Sequence, residues 1–216
     1  MSEGKDEYFV HIDENLIGRK AGGSAAEKAG EIRKANRLRS IAGRVLGTRT
    51  DERAWRKGSR GERFNGWLLD RLPHGWHVFH DIPVGQRGAN IDHVVVGPPG
   101  VFTVNTKNVS GKVWVAPRAL LVNGHTTDWL PKAAREAARA SKLLTAALGH
   151  SPQVRGVLAI LADDWTIKEK PMDVHVGTPR GVKRWLLEQP SILTAGEVAE
   201  ITAVVAKPST WASSAG

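Results

Sequence analysis

Residues 89–108, ANIDHVVVGPPGVFTVNTKN, contain two β-branched apolar runs on either side of the turn sequence GPPG at residues 97–100. Two strand-like runs that flank a short Gly/Pro turn are typical of a β-hairpin. If the hairpin is centred on this turn, Asp92 lies opposite Asn105, because both are equally far from it. Side chains two residues apart on a strand share a face, so Lys107 joins them. The sequence therefore predicts one hairpin face that carries Asp92, Asn105 and Lys107.

These three residue types suit a metal-dependent reaction on a phosphate. An acid inside the apolar run IDHVVV, residues 91–96, needs a partner, because an unpaired buried charge is costly. A metal would satisfy Asp92, and a salt bridge near the strand end is the structural alternative. Asn105 offers a neutral oxygen to a hard cation such as Mg²⁺, which prefers oxygen ligands. Lys107 offers a positive charge to a phosphate or an attacking water, and an exposed strand-end lysine is the structural alternative.

The rest of the chain predicts a mixed α/β order. Predicted helices cover residues 24–46, 58–72, 131–148, 180–187 and 195–206, and predicted strands cover 76–84, 91–96, 101–107, 113–115, 120–122, 154–161 and 173–176. Strands 113–115 and 120–122 are predicted to form a further hairpin, with a turn around Asn123 and Gly124. An order of helix, three strands, hairpin, helix and strand predicts a central sheet with helices on both faces.

The net charge of +9 comes from one segment. Residues 19–60 hold 13 Lys or Arg against four acids, and the rest of the chain is balanced. Such a basic arm is typical of binding to nucleic acid or anionic lipid, and a solubilising tail is the structural alternative. The candidate nucleic-acid-binding residues are Arg33, Lys34, Arg37, Arg39, Arg44, Arg56, Lys57 and Arg60.

Composition and missing motifs exclude several other functions. The chain has no cysteine, which excludes disulfides, thiolate zinc sites and a cysteine nucleophile, and which fits the cytoplasm. We find no signal-peptide core and no apolar run of about 18 residues, so we expect no membrane span. The motifs GxxxxGK[ST], GxGxxG, HExxH and GxSxG are absent. Nothing therefore indicates ATP, a dinucleotide cofactor or a serine-hydrolase site.

The hairpin also resembles the NERD domain, the nuclease-related domain of bacteria and archaea. The matching residues are Gly61 and Glu62 on a helix, Asp81, Ile91–Gly97, Gly100–Phe102 and Lys107. The close resemblance covers residues 58–120, and a looser one to actinobacterial members continues to about residue 211. NERD domains are similar to the restriction-endonuclease-like PD-(D/E)XK superfamily, which has a three-layer core. That superfamily usually has Glu or Asp two residues before the lysine, where this chain has Asn105.

The resemblance implies a metal-dependent nuclease site. Asp92, with Glu62 and the oxygen of Asn105, would hold Mg²⁺ or Mn²⁺. Lys107 would then support the attack on the phosphodiester. Loss of one carboxylate at residue 105 leaves a second interpretation open, a catalytically weak or inactive nucleic-acid-binding module on the same fold. A scaffold protein with an unused site is the third.

Several polar residues have a structural interpretation that we weigh beside the functional one. Glu62 lies near a helix start, where the helix dipole stabilises a carboxylate. For Asp81 we favour a structural acid at a strand end. Glu136, Arg139 and Lys142 share one side of a helix, and we favour a solvated face for them.

We expect three segments in the chain. Residues 1–57 form a basic, partly helical arm, residues 58–207 form the nuclease-like domain, and residues 208–216 form a flexible tail. The expected partner is nucleic acid, DNA in particular.

Overall fold

The computed structural model describes residues 16–21, 48–85 and 89–212, with the side chains of the first helix described from residue 58. The predicted helix 24–46 lies outside these ranges. The predicted nucleic-acid-binding residues Arg33, Lys34, Arg37, Arg39 and Arg44 lie outside them too, as do the side chains of Arg56 and Lys57.

The described chain has five helices and nine strands. The helices are α1 Thr48–Leu69, α2 Trp129–Leu148, α3 Pro179–Glu188, α4 Ala195–Val205 and α5 Pro208–Ala212. The strands are β1 His77–Val84, β2 Ala89–Gly97, β3 Gly100–Asn108, β4 Lys112–Ala116, β5 Ala119–Val122, β6 His125–Thr126, β7 Val154–Leu161, β8 Asp164–Ile167 and β9 Val174–Gly177. None of these described helices combines the length and apolar composition that a membrane span needs.

A five-stranded mixed sheet forms the centre, with strand order β1-β2-β3-β7-β9. The first three strands are antiparallel, and β7 and β9 add to β3 in parallel. A second sheet of order β6-β5-β4-β8 comes from the segment between β3 and α2 together with β8. The predicted mixed sheet with helices on both faces is confirmed, and α1, β1–β3, α2 and β7 follow the predicted order of a nuclease-like core.

Alternation along the central strands fills two cores. Val94 packs with Leu144 of α2 and Val198 of α4, whereas its neighbour Val95 packs with Leu69 of α1 and Leu186 of α3. Successive side chains of a strand point to opposite faces, so a continuous valine run serves both layers. We call these two sides the α2 face and the α1 face of the sheet.

The hairpin turns where the sequence predicts it. Gly97 pairs with Gly100 and His93 pairs with Val104. One further step along this register places Asp92 opposite Asn105. The predicted register is therefore confirmed.

The strand β1 changes phase at Asp81. Phe79 and Ile82 both lie in the core of the α2 face, although they are three residues apart rather than two. The partner strand makes the same change between Ile91 and Val94. Asp81 has a φ of 53°, in the left-handed region, which Asp tolerates better than most side chains. This irregularity lies directly beside the candidate site.

Two details of the prediction are wrong. Ala116 pairs with Ala119, so the β4–β5 turn lies between them, and Asn123 with Gly124 leads from β5 into β6 instead. The side chain of Asn123 accepts from the N–H of Lys112 at 2.8 Å and donates to Ser110. The sequence Asn123-Gly124 therefore does form a turn, and that turn connects β5 to β6.

The expected flexible tail is also wrong over residues 208–212. These residues form α5, and Trp211 is fully buried, with its indole N–H donating to the carbonyl of Val205 at 2.9 Å. At the other end, Leu16 is 2% exposed and its N–H donates to the carbonyl of Ala206. Segment 16–21 therefore packs on the domain, and the predicted boundary at residue 57 falls inside the continuous helix α1.

A close approach of α2 to β7 requires a glycine at position 156. A Cβ on Gly156 would lie 2.9 Å from the carbonyl oxygen of Ala133. We expect Gly156→Ala to lower the free energy of unfolding by about 1–3 kcal/mol, the usual cost of overpacking. Urea denaturation measures this change.

The matched control is Gly58→Ala in α1, where an added Cβ meets no described atom within 4 Å. We expect it to raise the free energy of unfolding by up to about 1 kcal/mol, because alanine favours a helix interior over glycine. Equal effects of the two substitutions would show that the α2–β7 approach is not the constraint.

Candidate functional site

Three polar residues form a row across the first three strands. His80 pairs with His93 and Ile82 with Ile91, so Asp81 lies opposite Asp92. Asp92 in turn lies opposite Asn105, by the register described above. A row of polar groups thus crosses a sheet whose neighbouring positions are apolar.

Asp92 is held by the backbone of the next strand. Its Oδ2 accepts a hydrogen bond from the N–H of Thr106 at 2.7 Å. Burial raises the pKa of Asp92, while the positive charge of Lys107 and the Thr106 N–H act in the opposite direction. A carboxylate held by a backbone donor has a defined orientation.

Glu136 brings α2 to the same place. Its side chain has a hydrogen bond with Asn105, and the charges of Asp92 and Lys107 act on it. Burial is the main cause that raises the pKa of Glu136 to about 7, and Asp92 adds to the rise. Asp92, Asn105 and Lys107 are therefore together on the α2 face, as the hairpin geometry predicts.

Glu62 reaches the cluster from α1. Burial raises the pKa of Glu62 to about 7, with smaller contributions from the carboxylates of Asp92 and Asp81, and Lys107 opposes them. The preceding Gly61 allows α1 to approach the end of β3, because a Cβ there would lie 2.8 Å from the Cβ of Asn108. The Gly-Glu pair thus places a carboxylate beside the row.

Excess negative charge is the main electrostatic property of this site. Three carboxyl groups, those of Glu62, Asp92 and Glu136, each interact with the one ammonium group of Lys107. Burial removes these carboxyl groups from water and is the main cause of their raised pKa values, and repulsion by the neighbouring carboxylates adds to it. The cluster is therefore suited to a further positive charge.

Two buried oxygen atoms support the same conclusion. Within the described part of the chain, Oδ1 of Asn105 and Oε1 of Glu136 have no hydrogen-bond partner. Buried polar atoms are nearly always satisfied, and leaving one unsatisfied costs about 1–3 kcal/mol. Amide and carboxylate oxygens are also the ligands that Mg²⁺ prefers.

The donor set fits a partly hydrated ion and not a closed protein cage. Among the described residues, no group of three or more His, Cys, Asp or Glu is arranged to hold a metal ion. Mg²⁺ usually takes one or two carboxylates and keeps several waters. Asp92 and the oxygen of Asn105, with Glu62 or Glu136 nearby, meet that requirement.

The structure corrects two interpretations. Glu136 does not lie on a solvated face, since one of its carboxylate oxygens is buried against the sheet. Its position directly before the buried Ala137 was the available signal. Asp81 is not a strand-end acid, because it lies inside β1 and binds Asn90 at 2.7 Å and Arg19 at 3.4 Å.

Of the polar residues beside Glu136 on α2, Arg139 is half-buried and Lys142 is exposed. Among the residues predicted to bind nucleic acid, Arg60 is exposed on α1. The others in that set have no described side chain, so their role stays a prediction.

A buried histidine pair lies behind the row, on the α1 face. His93 faces away from Asp92, as expected, and its Nδ1 lies 2.9 Å from Nδ1 of His80. Nε2 of His80 lies 2.9 Å from Oδ1 of Asp70. Burial lowers the pKa of His93 to about 3, and His80 adds to that effect, so His93 is neutral at pH 7.

Thr106 joins this pair to the site. Its hydroxyl accepts from Nδ2 of Asn65 at 2.9 Å and lies 3.3 Å from Nε2 of His93, while its backbone N–H binds Asp92. When His93 and His80 are both neutral, Asn65 donates to Thr106 and Thr106 donates to His93. His93 then donates to His80, and the chain of donors ends at Asp70. The network fixes the residue that holds Asp92.

Comparison with known proteins identifies the domain. Residues 57–161 match the sequence model of the NERD family, the nuclease-related domain. This part of the chain is a nuclease-related domain, and it contains every residue of the cluster just described.

An uncharacterized protein of Bacillus anthracis is 34% identical over 67 residues, which cover 29% of this chain. The matched region spans 32% of the length of that relative. No solved structure matches the chain.

The role of Thr106 can be tested by an isosteric substitution. Thr106→Val leaves Nδ2 of Asn65 and Nε2 of His93 buried without a partner. We expect it to lower the free energy of unfolding by about 1–3 kcal/mol in urea denaturation.

Thr103→Val is the control on the same strand. Thr103 is 1% exposed, and its hydroxyl has no partner among the described residues. Replacing an unsatisfied buried hydroxyl by a methyl group is expected to be neutral or stabilising. If both valine variants lose the same stability, the network does not hold Thr106.

Proposed function

We propose that this protein is a phosphodiesterase that cleaves DNA with the help of Mg²⁺ or Mn²⁺. The observation that supports it is the convergence of three carboxyl groups on Lys107, beside the unpaired oxygen of Asn105. A divalent cation would offset the repulsion among these acids. The nuclease-related domain supports the same class of reaction.

Asp92, Glu62 and the Asn105 oxygen would hold the ion, with Glu136 as the alternative second carboxylate in place of Glu62. A bound divalent cation would polarise the phosphate and lower the pKa of a water. Asp92 contributes a carboxylate whose orientation the Thr106 N–H already holds. Little rearrangement is then needed on binding, which favours affinity.

Lys107 is assigned to the phosphate. Its ammonium group lies 6.0 Å from the ring centroid of Trp129 and next to the carboxyl cluster. A fixed positive charge there would offset the negative charge that develops on the phosphate during attack. Lysine acts as a point charge with three donors, so it suits this role.

A metal titration followed by thermal unfolding tests the binding site. Ligand binding to the folded state raises stability in proportion to the logarithm of the metal concentration over Kd. We expect Mn²⁺ at millimolar concentration to raise the melting temperature of the wild type and not that of Asp92→Asn. Asn105→Asp adds a carboxylate, so we expect a lower melting temperature without metal and a larger rise with it.

Cleavage of labelled DNA in the same Mn²⁺ series tests the reaction. Lys107→Met keeps the hydrophobic part of the side chain and removes the charge, so the metal-induced shift is expected to persist. Cleavage should fall on the order of 10²–10³-fold, the usual effect of removing one donor to the transition state. If neither wild type nor Asn105→Asp binds metal or cleaves DNA, the inactive binding module replaces the nuclease.

Nucleic acid is the proposed partner of the basic arm as well. Truncation at residue 57 would remove Leu16 from the core, so charge neutralisation is the better test. The five-residue variant carries Gln at Arg33, Lys34, Arg37, Arg39 and Arg44. If all five contact phosphate, the slope of log affinity against log salt on duplex DNA should flatten by about four to five.

Gln at the exposed Lys168 and Lys170 is the control for general charge. We expect it to leave the slope almost unchanged. A slope that the five-residue variant also leaves unchanged would assign the arm to another role.

A further inference from the structure

A basic cleft lies on the α1 side of β1. Segment 16–21 and α1 form its walls, and its volume is about 480 Å³. Three cations, Arg19, Lys20 and Arg63, line it together with Trp67 and the polar pair His80 and Asp70. A cleft with this lining suits an anionic ligand that also has a flat apolar surface.

Trp67 provides the protein's flat apolar surface in this cleft. It is 50% exposed, which is unusual for so large an aromatic side chain. The ring of Phe64 stacks beside it at 6.2 Å, and the guanidinium of Arg71 lies 3.5 Å from its ring centroid. Arg180 of α3 adds a further guanidinium 5.9 Å from the Phe64 ring. Aromatic rings interleaved with arginines are typical of surfaces that bind unpaired bases.

Arg19 connects the cleft with the candidate active site. Arg19 lines the cleft, and its guanidinium also lies 3.4 Å from Oδ2 of Asp81. Asp81 is opposite Asp92 and acts on the pKa of Glu62. A ligand held against Arg19 is therefore adjacent to the row of polar residues across β1, β2 and β3.

We propose that this cleft binds a single-stranded segment of nucleic acid next to the phosphate that is cleaved. An unpaired base stacks on the surface that Trp67 forms together with the Arg71 guanidinium over its ring, and Lys20 and Arg63 bind the neighbouring phosphates. The bases of an intact duplex are stacked on each other, so a side chain reaches their faces only where the strands separate. The substrate class is therefore DNA with a single-stranded end or gap. The cleavage part of this inference rests on the proposed function, whereas the binding part does not.

Charge separates nucleic acid from another candidate occupant, the basic stretch of residues 22–47 in this chain. Residues 22–47, which follow the cleft-lining Ala21, hold six Lys or Arg and two Glu. A basic segment is repelled by Arg19, Lys20 and Arg63, whereas a phosphodiester strand is attracted. The cleft therefore favours nucleic acid over residues 22–47 of this chain.

The test measures binding of a fluorescent 15-nucleotide oligothymidine and of a matched duplex by anisotropy, with EDTA present so that no cleavage occurs. Loss of one base stack typically weakens single-strand affinity by roughly 5- to 150-fold. We expect Trp67→Ala to have this effect on the single strand and little effect on the duplex. Trp67→Phe should retain most of the affinity, and Arg63→Gln should flatten the single-strand salt slope by about 0.7.

Met172→Ala is the control, since this side chain is 94% exposed in the loop before β9. Melting temperatures show that each variant is folded. An equal effect of Trp67→Ala on single strand and duplex, or no effect on either, overturns the inference. A third outcome also overturns it: single-strand binding depends on Trp67 in the five-residue Gln variant and not in the wild-type arm. That result would mean that the wild-type arm occupies the cleft.

Cleavage assays on the same variants keep the two proposals apart. Single-strand binding that depends on Trp67, without cleavage under any Mn²⁺ concentration, supports the cleft and contradicts the nuclease. Cleavage that requires Asp92 and is indifferent to Trp67 supports the nuclease and contradicts the cleft.

Discussion

The burial of several carboxyl groups around one lysine is the constraint on which this site depends. Asp81 and Asp92 lie opposite each other in β1 and β2, and Glu62 and Glu136 approach from the two helix layers. A protein interior does not keep such a group of acids ionised without positive charge, and Lys107 supplies one unit of it. Burial, with smaller contributions from the neighbouring carboxylates, raises the pKa values of Glu62, Asp92 and Glu136, and a divalent ion would stabilise their ionised forms.

The two faces of the sheet have different roles: the α2 face carries the candidate site, and the α1 face carries the hydrogen bonds that support it. Asp92, Asn105 and Glu136 meet on the α2 face, where the cluster is electrostatically unsatisfied. On the α1 face, Thr106 and His93 belong to a continuous set of hydrogen bonds. Thr106 connects the two faces, because its backbone and its side chain bind different partners. A charged cluster is thus held by a hydrogen-bond network that runs from Asn65 through Thr106, His93 and His80 to Asp70.

Turn residues and hydrophobic periodicity were sufficient to predict those elements whose geometry is set within one short segment. The Gly-Pro-Pro-Gly turn set the hairpin register, so the juxtaposition of Asp92 and Asn105 followed from counting residues. Strong periodic segments such as 131–148 and 154–161 were located within a few residues of their observed bounds. The burial of Trp211 was not foreseen, because a tail of five helical residues has no periodicity to indicate that the core extends over it.

The amino-acid order alone determined the hairpin, the mixed α/β core and the candidate row on β2 and β3, since each depends on alternation and turn chemistry within about twenty residues. Tertiary structure decided the rest. Glu136 is more than 25 residues from the hairpin, and its surroundings are decided by how closely α2 packs on β7 at Gly156. The phase change at Asp81 and the cleft beside Trp67 depend likewise on segments distant in sequence. Contacts of this kind arise from packing between layers, which no local pattern encodes.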